Sequence, residues 1–541
     1  MTKWRRDEEI DSLRRNPFDL VVIGAGMTGA GVAVDAASRG LRVALIDQGD
    51  VASGTSSKSS KLVHGGLRYL QQREFALVYE NLRERQRLLS NAPYLVQPLP
   101  FLIPLFGSNG VATRTVVKGY ATALRLYDLT GGWRIGHRYQ RVTRADALRY
   151  LPTLRTDRLV AGFLYYDARG DDARVALTLV KTARALGATA INYVRATGVT
   201  RDHAGQLSGV KVTDQCRGSS FTIATRTAVN ASGVWADEIF TMTEGQTSRR
   251  VRPAKGVHLT VARERLPAEV AAVINVPGDR RSIFIVPFSD APYTFIGTTD
   301  TAHEGSLDDP LCTRDDLEYL LGAVNSATSS NLTVDDVTAL WAGLRPLIEP
   351  PAGQRISERT ADLSRRHRVT DSRDGVVHVT GGKWTTYRQM AEDTVDALRP
   401  YFSNLPRART RRLSLHGVGP WRPSGPVETH LYHRYGADVE RLIEMIREKP
   451  ELGDALIEGQ SYLAVEFLFA AREEIATSLV DLVTRRTRAH LHDARATLRA
   501  APAIANLVAE ALGWTEADVT AQVSEYHELV VHEFSAAGLE L

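Results

Sequence analysis

The chain has 541 residues, of which 43% are hydrophobic and 24% charged, with a net charge of +4. That length exceeds one ordinary core and predicts two or three domains, and so small a charge gives no argument for nucleic acid. Two cysteines, Cys216 and Cys312, exclude a disulfide framework and lack metal-ligand spacing, which points to a reducing, cytoplasmic setting and no metal centre.

Residues 1–17 are charged throughout and have no apolar centre, so no secretory signal is expected there. No stretch offers the roughly eighteen unbroken apolar residues of a spanning helix, and any membrane attachment is expected to be peripheral. Asp19 to Asp47 reads DLVVIGAGMTGAGVAVDAASRGLRVALID. Leu20 to Ile23 is a short β-branched run, the mark of a buried strand. Gly24, Gly26 and Gly29 follow in G-x-G-x-x-G spacing. Gly24 permits the tight turn, Gly26 lets a pyrophosphate approach the backbone, and Gly29 lets helix and strand pack closely. A helix is predicted from Met27 to Ser38, stopped by Gly40, then a strand from Arg42 to Ile46. Asp47 ends that strand where a carboxylate can accept hydrogen bonds from ribose hydroxyls. The first turn of the helix offers N–H groups and a dipole to a pyrophosphate. The whole order predicts a bound dinucleotide but does not separate FAD from NAD.

The next loop crowds Ser53, Thr55, Ser56, Ser57, Ser59 and Ser60 among Gly54, Gly65 and Gly66, and carries Lys61, His64, Arg68 and Tyr69. Short donors on a backbone able to lie against a flat ring suggest ligand contact rather than a polar linker. A helix is expected over 74–90. Pro93, Pro98, Pro100 and Pro104 predict a break in regular structure, opening an insertion to about Tyr165 with a helix over 113–129. Residues 207–212 and 220–224 read as a hairpin, and TAVNASG (227–233) as a strand entering a glycine turn. Residues 253–261 and 282–299 fit an antiparallel sheet closed by GTTD (297–300). Residues 376–398 read as strand, double glycine and helix, with Thr385 or Thr386 to cap and a second helix N-terminus to favour negative charge. Pro406, Pro420, Pro423 and Pro426 mark 404–426 as a linker. Beyond it the pattern is helical, with Ile475, Leu479, Leu482 and Val483 on one face. The basic run Arg485, Arg486 and Arg488 is open to two readings, a solvated helix face or an attachment to anionic lipid.

Taken together, TSSKSSKLVHGGLRYL, AKGVHLT, GTTD, AGLRPL and GGKWTTYR, in this order, resemble the FAD-dependent glycerol-3-phosphate dehydrogenases. The resemblance covers residues 18–398, and the helical tail is more loosely similar to that family's C-terminal domain. It selects FAD over NAD; non-covalent binding is expected. It implies an α/β fold: a two-dinucleotide-binding, Rossmann-like FAD domain (18–92, 163–250, 336–400) interleaved with an antiparallel, amino-acid-oxidase-like substrate domain (93–162, 251–335). The linker (401–426) and a C-terminal all-α domain (427–541) follow. It also implies oxidation of sn-glycerol 3-phosphate to dihydroxyacetone phosphate, by hydride transfer from C2 to flavin N5. Electrons would pass to a membrane quinone, with the enzyme cytoplasmic or peripheral on the cytoplasmic face of the inner membrane. The tail could serve a homodimer contact, a lipid contact or neither.

Carried over by position, Arg68 and Arg345 are the expected substrate arginines, and Lys383, His258 and Tyr69 complete the pocket. Around the cofactor the expected set is Gly24, Gly26, Met27, Thr28, Gly29, Asp47, Gln48, Thr55, Ser56, Ser57, Ser60, Lys61, His64, Gly65 and Gly66. Ala196, Gly233, Gly343, Gly382, Lys383 and Thr385 complete it. Trp384 and His303 depart from the family pattern, the first beside Lys383. The reaction needs an anchor for a dianion, a base and a hydride acceptor. A planar guanidinium binds phosphate oxygens bidentately, which suits Arg68 and Arg345. Lys383 can neutralise the phosphate or the developing alkoxide. His258 has an ordinary pKa near 6.5, suited to accept a proton; a packed strand histidine is its alternative role, and His64 competes for the task. Three rival functions stay open: an oxidase returning electrons to dioxygen, an amine or amino-acid oxidase using an arginine for a carboxylate, against which Lys383 and the paired arginines argue, and a flavin-binding protein without turnover.

Overall fold

The computed structural model describes residues 4–67, 69, 74–107, 114–245, 250–279, 281–349 and 366–541. Its first sheet is built on the glycine motif. Strand β1 (Leu20–Ile23) is buried at every position and runs parallel to β2 (Val43–Ile46) on one side and to β11 (Ala228–Asn230) on the other. Strand β7 (Thr189–Ile191) continues beyond β2, and β19 (Val376–Gly381) beyond β11, both parallel. An antiparallel edge strand, β18 (His367–Asp371), gives the order β18-β19-β11-β1-β2-β7. The helix Met27–Ser38 packs between the helices Asp172–Ala185 and Tyr387–Ala397. Its alanines and glycines allow that closeness. A three-stranded antiparallel ribbon, β8 (Val194–Arg201), β9 (Leu207–Asp214) and β10 (Ser219–Ala224), lies outside this sheet. It contains the hairpin read from the sequence.

The second sheet has ten strands among the described residues. From β3 (Leu62–Val63) it passes through β6 (Leu159–Gly170), β4 (Val96–Phe106), β13 (Ala271–Asn275), β14 (Ser282–Pro287) and β15 (Tyr293–Gly297). It ends at β12 (Val251–Ala262) and β16 (Thr301–Ala302). Strand β5 (Gln140–Val142) pairs with β6, and β17 (Val337–Ile348) lies along the whole of β12. Every pairing is antiparallel except β4 with β13. The fold is thus an α/β architecture in which the chain passes repeatedly between a mainly parallel sheet carrying the glycine motif, the nucleotide sheet, and a mainly antiparallel one.

Three expectations are corrected. Pro93 does lie in a turn before β4, but Pro98, Pro100 and Pro104 do not break regular structure: they lie inside β4, paired with β6 from Val96 to Phe106. They share one parity, so their missing N–H groups fall on the side away from β6. There β13 takes up pairing only at Phe101 and Leu102, and no ladder bond is lost. Ile475 does not share a helix face with Leu479, Leu482 and Val483; it precedes their turn with φ +45° and packs on the nucleotide-sheet core. The stretch 404–426 is no loose tether. Leu405 and Leu415 are buried in that same core, and Leu415 donates its N–H to the Asn91 carbonyl at 2.9 Å.

The C-terminal helices include Pro426–Tyr435, Val439–Glu448, Ala464–Glu473, Ala494–Leu512 and Glu516–Ala536. They are not insulated from the rest. Phe467, Leu482, Ile504 and Val530 belong to one continuous core with Val257, Leu259, Leu340 and Ile296 of the antiparallel sheet. No described helix is long and apolar enough to cross a membrane.

Candidate active site

The carboxyl ends of β1 and β2 open into a cleft of about 1150 Å³ that continues between the two sheets. Gly24, at φ +107°, has no room for a side chain: a Cβ would lie 2.7 Å from the Ala231 carbonyl oxygen. At Gly29 it would lie 1.8 Å from the Gly24 carbonyl oxygen, so the helix is pressed onto the turn itself. Gly26 faces Ser56, whose hydroxyl accepts the Met27 N–H at 2.8 Å and closes the serine loop over the helix start. Asp47 accepts the N–H groups of Ala25 (2.6 Å) and Gly49 (2.9 Å). Burial pushes its carboxyl up to about 6 against the pull of those two donors.

Of the residues expected around the cofactor, Gly24, Gly26, Met27, Thr28, Asp47, Gln48, Thr55, Ser56 and Ser60 line the cleft. So do His64, Gly66, Ala196, Gly233, Gly343, Gly382, Lys383 and Thr385. Gly29, Ser57, Lys61 and Gly65 do not. Gly65 is a structural node, its N–H given to Tyr127 and Asp167 and its carbonyl taken by Asn81. Tyr69, His258 and Arg345 also line the cleft, whereas Arg68 falls outside the described residues. No described cluster of His, Cys, Asp or Glu could hold a metal ion.

The polar groups meet on strands and strand exits. Arg345, on β17, donates to the Thr298 hydroxyl and the Thr299 carbonyl, both at 3.1 Å, and to the Lys255 carbonyl at 3.2 Å. Asp300 stands 3.5 Å away. His258, on β12 opposite Trp341 of β17, is 2% exposed. It stacks on the Trp341 indole and meets the Ser60 hydroxyl through Nε2 at 2.8 Å, while Nδ1 finds no hydrogen-bond partner among the described residues. Burial, then Lys61, then Arg345 hold its imidazole well below 6.5. Lys383 follows Gly381 and Gly382, at φ +75° and +81°, and rests its ammonium 3.9 Å from the Tyr69 ring centroid. Only glycine fits at position 66 beside them, because a Cβ would be 2.4 Å from the Tyr69 ring.

Neither threonine caps the helix Tyr387–Ala397 by a side-chain bond. The Thr386 hydroxyl donates back to the Lys383 carbonyl at 3.1 Å. The Thr385 hydroxyl is buried, faces the cleft and has no hydrogen-bond partner among the described residues. Trp384 packs on the nucleotide-sheet core and, like Lys383, also borders the cleft. His303 meets the Ser306 carbonyl, away from the cleft.

Several site residues had no assigned role in the sequence reading. Asp300 sits in the GTTD motif and Trp341 in WAGLRPL, so the signal was present without the contact that explains it. Asp172 and the basic run had no such signal. That run is corrected on both readings, for its guanidinium groups are taken up by carboxylates of the protein itself. Arg486 and Arg488 are 1% and 2% exposed as whole residues. Arg486 grips Asp50 through two bonds of 2.7 and 2.8 Å, Arg485 reaches the same carboxylate at 2.7 Å, and Arg488 lies 3.3 Å from Asp172. Buried arginines persist where carboxylates meet them, and here those carboxylates come from the loop after β2 and from the start of the helix Asp172–Ala185.

A glycine turn without room for a Cβ, a buried acid at the second strand and an orphaned hydroxyl on the wall fit FAD. The fold and cleft define an FAD-dependent oxidoreductase. Residues 19–391 match the family described as FAD dependent oxidoreductase, and 377–519 match the C-terminal domain of alpha-glycerophosphate oxidase. The glycerol-3-phosphate dehydrogenase 2 of Mycobacterium tuberculosis is 38% identical, over 97% of this chain and 88% of the relative. The aerobic glycerol-3-phosphate dehydrogenase of Staphylococcus aureus is 30% identical, over 98% and 97%. The crystal structure of the glycerol-3-phosphate dehydrogenase from Bacillus halodurans complexed with FAD aligns with a TM-score of 0.77 at 29% identity, over 97% of both chains. The chain belongs to the FAD-dependent glycerol-3-phosphate dehydrogenase family.

Proposed function

We propose that this protein oxidises sn-glycerol 3-phosphate at C2 to dihydroxyacetone phosphate and delivers the electrons to a membrane quinone. The observation that carries the reading is the convergence of Arg345, Lys383 and His258 on the cleft that also holds the glycine turn. Arg345 is held by hydroxyl and carbonyl oxygens and by Asp300, which fixes its fork for a phosphate. Lys383, above Tyr69, adds a second positive charge to the wall of the same cleft. FAD, when bound, supplies the hydride acceptor at flavin N5. His258 takes the C2 hydroxyl proton: its burial keeps the imidazole neutral and ready, and the arriving dianionic phosphate offsets the two cations that oppose its charging. The quinone reading sets the enzyme against a membrane surface. Tyr79 and Trp133, 45% and 55% exposed, lie against Arg134, and Phe75, 46% exposed, precedes Tyr79 by one helical turn; the patch suits such a surface.

The test is anaerobic addition of sn-glycerol 3-phosphate to the yellow protein. Bleaching of the flavin band near 450 nm (roughly its usual position) with stoichiometric dihydroxyacetone phosphate is expected. A persistent yellow colour would remove the substrate assignment and leave the fold. Peroxide formed mole for mole in air would replace the quinone by dioxygen.

A further inference from the structure

Trp341 carries two partners with opposed electrostatic demands. His258 stacks on its indole, with centroids 4.8 Å apart and planes 7° from parallel. Lys61 places its ammonium 4.7 Å from the centroid of the same indole. That ammonium is fixed on several sides: Asp172 lies 3.6 Å away, and the Ser57 and Ser59 carbonyls accept from it at 3.5 and 3.3 Å. Asp172 is itself shared. It accepts the N–H and hydroxyl of Ser59 at 3.0 and 2.6 Å, while Arg488 approaches it from the C-terminal helices at 3.3 Å and also donates to the Ser57 carbonyl. Ser60, the neighbour of Lys61 in the chain, touches His258. Lys61 is 7% exposed and stands off the cleft wall, so its expected contact with the cofactor gives way to a place beside the stacked pair.

We propose that Lys61 is a positioning residue for the proton acceptor: locked by Asp172 and, through it, by Arg488, it occupies the indole on which His258 stacks and denies that imidazole a positive charge. The proposal rests on the reading of His258 as the group that takes the substrate proton. An indole face satisfies one cation well, and a second charge in the same dry space is repelled by the first. The charged groups acting on His258 are Lys61 and Arg345; those acting on Lys61 are Asp172, Asp171 and Arg488. Burial brings Lys61 down to about 8 although Asp172 pulls it back up, so its hold on His258 fades in mildly alkaline solution.

The experiment uses the FAD-loaded protein with Lys61→Met, and Lys61→Arg as the charge-keeping control. The kcat/KM for sn-glycerol 3-phosphate is followed from about pH 5.5 to about pH 9. Losing the cation raises the His258 pKa, so more of the base is protonated in acid. The native-to-Met ratio should be about threefold near pH 6, since burial and Arg345 still hold the imidazole below 6.5, and should fall towards unity near pH 9, with Lys61→Arg restoring the acid limb. A merely structural role lowers activity by one factor at every pH, and that result, or failure of Arg to restore more than Met, would overturn the proposal. A second readout is direct. The His258 Cε1 NMR resonance, assigned by its loss in His258→Gln, should titrate at higher pH in Lys61→Met than in the native protein, where the imidazole is held well below 6.5. Should Lys61→Met fail to fold, Lys61→Gln serves the same two measurements. Full turnover in His258→Gln would remove the acceptor and this proposal together. A slow His258→Gln with a flat Lys61→Met ratio would remove Lys61 alone.

Discussion

Arg345 and His258 face the same volume with contrary needs, since one must keep its charge and the other must refuse one. Arg345 keeps it among oxygens and beside Asp300. Removing such a charge-assisted anchor is worth about 1.5–3 kcal/mol, so Arg345→Ala should raise KM for the phosphate ester roughly tenfold to hundredfold while FAD stays bound. Steady-state kinetics with a flavin spectrum of the same sample checks this. His258→Ala should lower kcat by about 10²–10⁴ with little change in flavin content; an unchanged kcat would pass the base to His64, which shares the cleft wall. These residues were legible in the sequence because short motifs surround them. Asp300, Trp341 and Asp172 were not read as site residues. Asp300 reaches Arg345 across 45 positions of sequence, and such distances are set by strand register, which one sequence does not print.

The nucleotide-binding element was the most legible part of the chain. The strand Leu20–Ile23 and the helix Met27–Ser38 lie where the pattern puts them, and the second strand begins at Val43 rather than Arg42. Local chemistry decides such a unit: glycine spacing, small residues and a terminal acid. Gly29→Ala is therefore expected to be far worse than an ordinary helix substitution, because its methyl would overlap the Gly24 carbonyl. The turn and helix would have to part, giving a protein that purifies colourless or with well under half its FAD, as read by the ratio of flavin to protein absorbance. Strand β4 was illegible for the opposite reason. Its prolines argue against a strand when read locally, and only the partial pairing of β13 explains why they are tolerated.

The C-terminal helices read as a separate domain because their composition and periodicity change after the proline-rich stretch. The structure joins them to the rest by a shared core and by buried ion pairs, neither of which has a local signature. Glu474 is one such carboxylate. Burial raises it, but Arg174 at 2.7 Å and Lys181 at 3.4 Å outweigh that and hold it at about 2. A carboxyl so depressed contributes fully above its ordinary value of 4.5, and that contribution drains away as the pH falls through about 2. The sum is about 3 kcal/mol. Denaturant melts across that window should show a steep acid loss in the native protein and a flatter one in Glu474→Gln. Asp50→Ala should cost about 3–5 kcal/mol at neutral pH, since it strands Arg486 in a dry interior and leaves Arg485 with Asp481 alone.

Asp50 stands three positions after Asp47, in the same loop that borders the nucleotide. Whatever seals that loop also seals the ionic seam behind it, so occupancy of the cleft and the integrity of helices hundreds of residues later share one thermodynamic fate. At a ligand concentration a hundredfold above its Kd, such linkage is worth about 2.7 kcal/mol. Proteolytic nicking between Ala494 and Ala536 should slow on reconstitution with FAD, although those helices contribute no residue to the cleft wall.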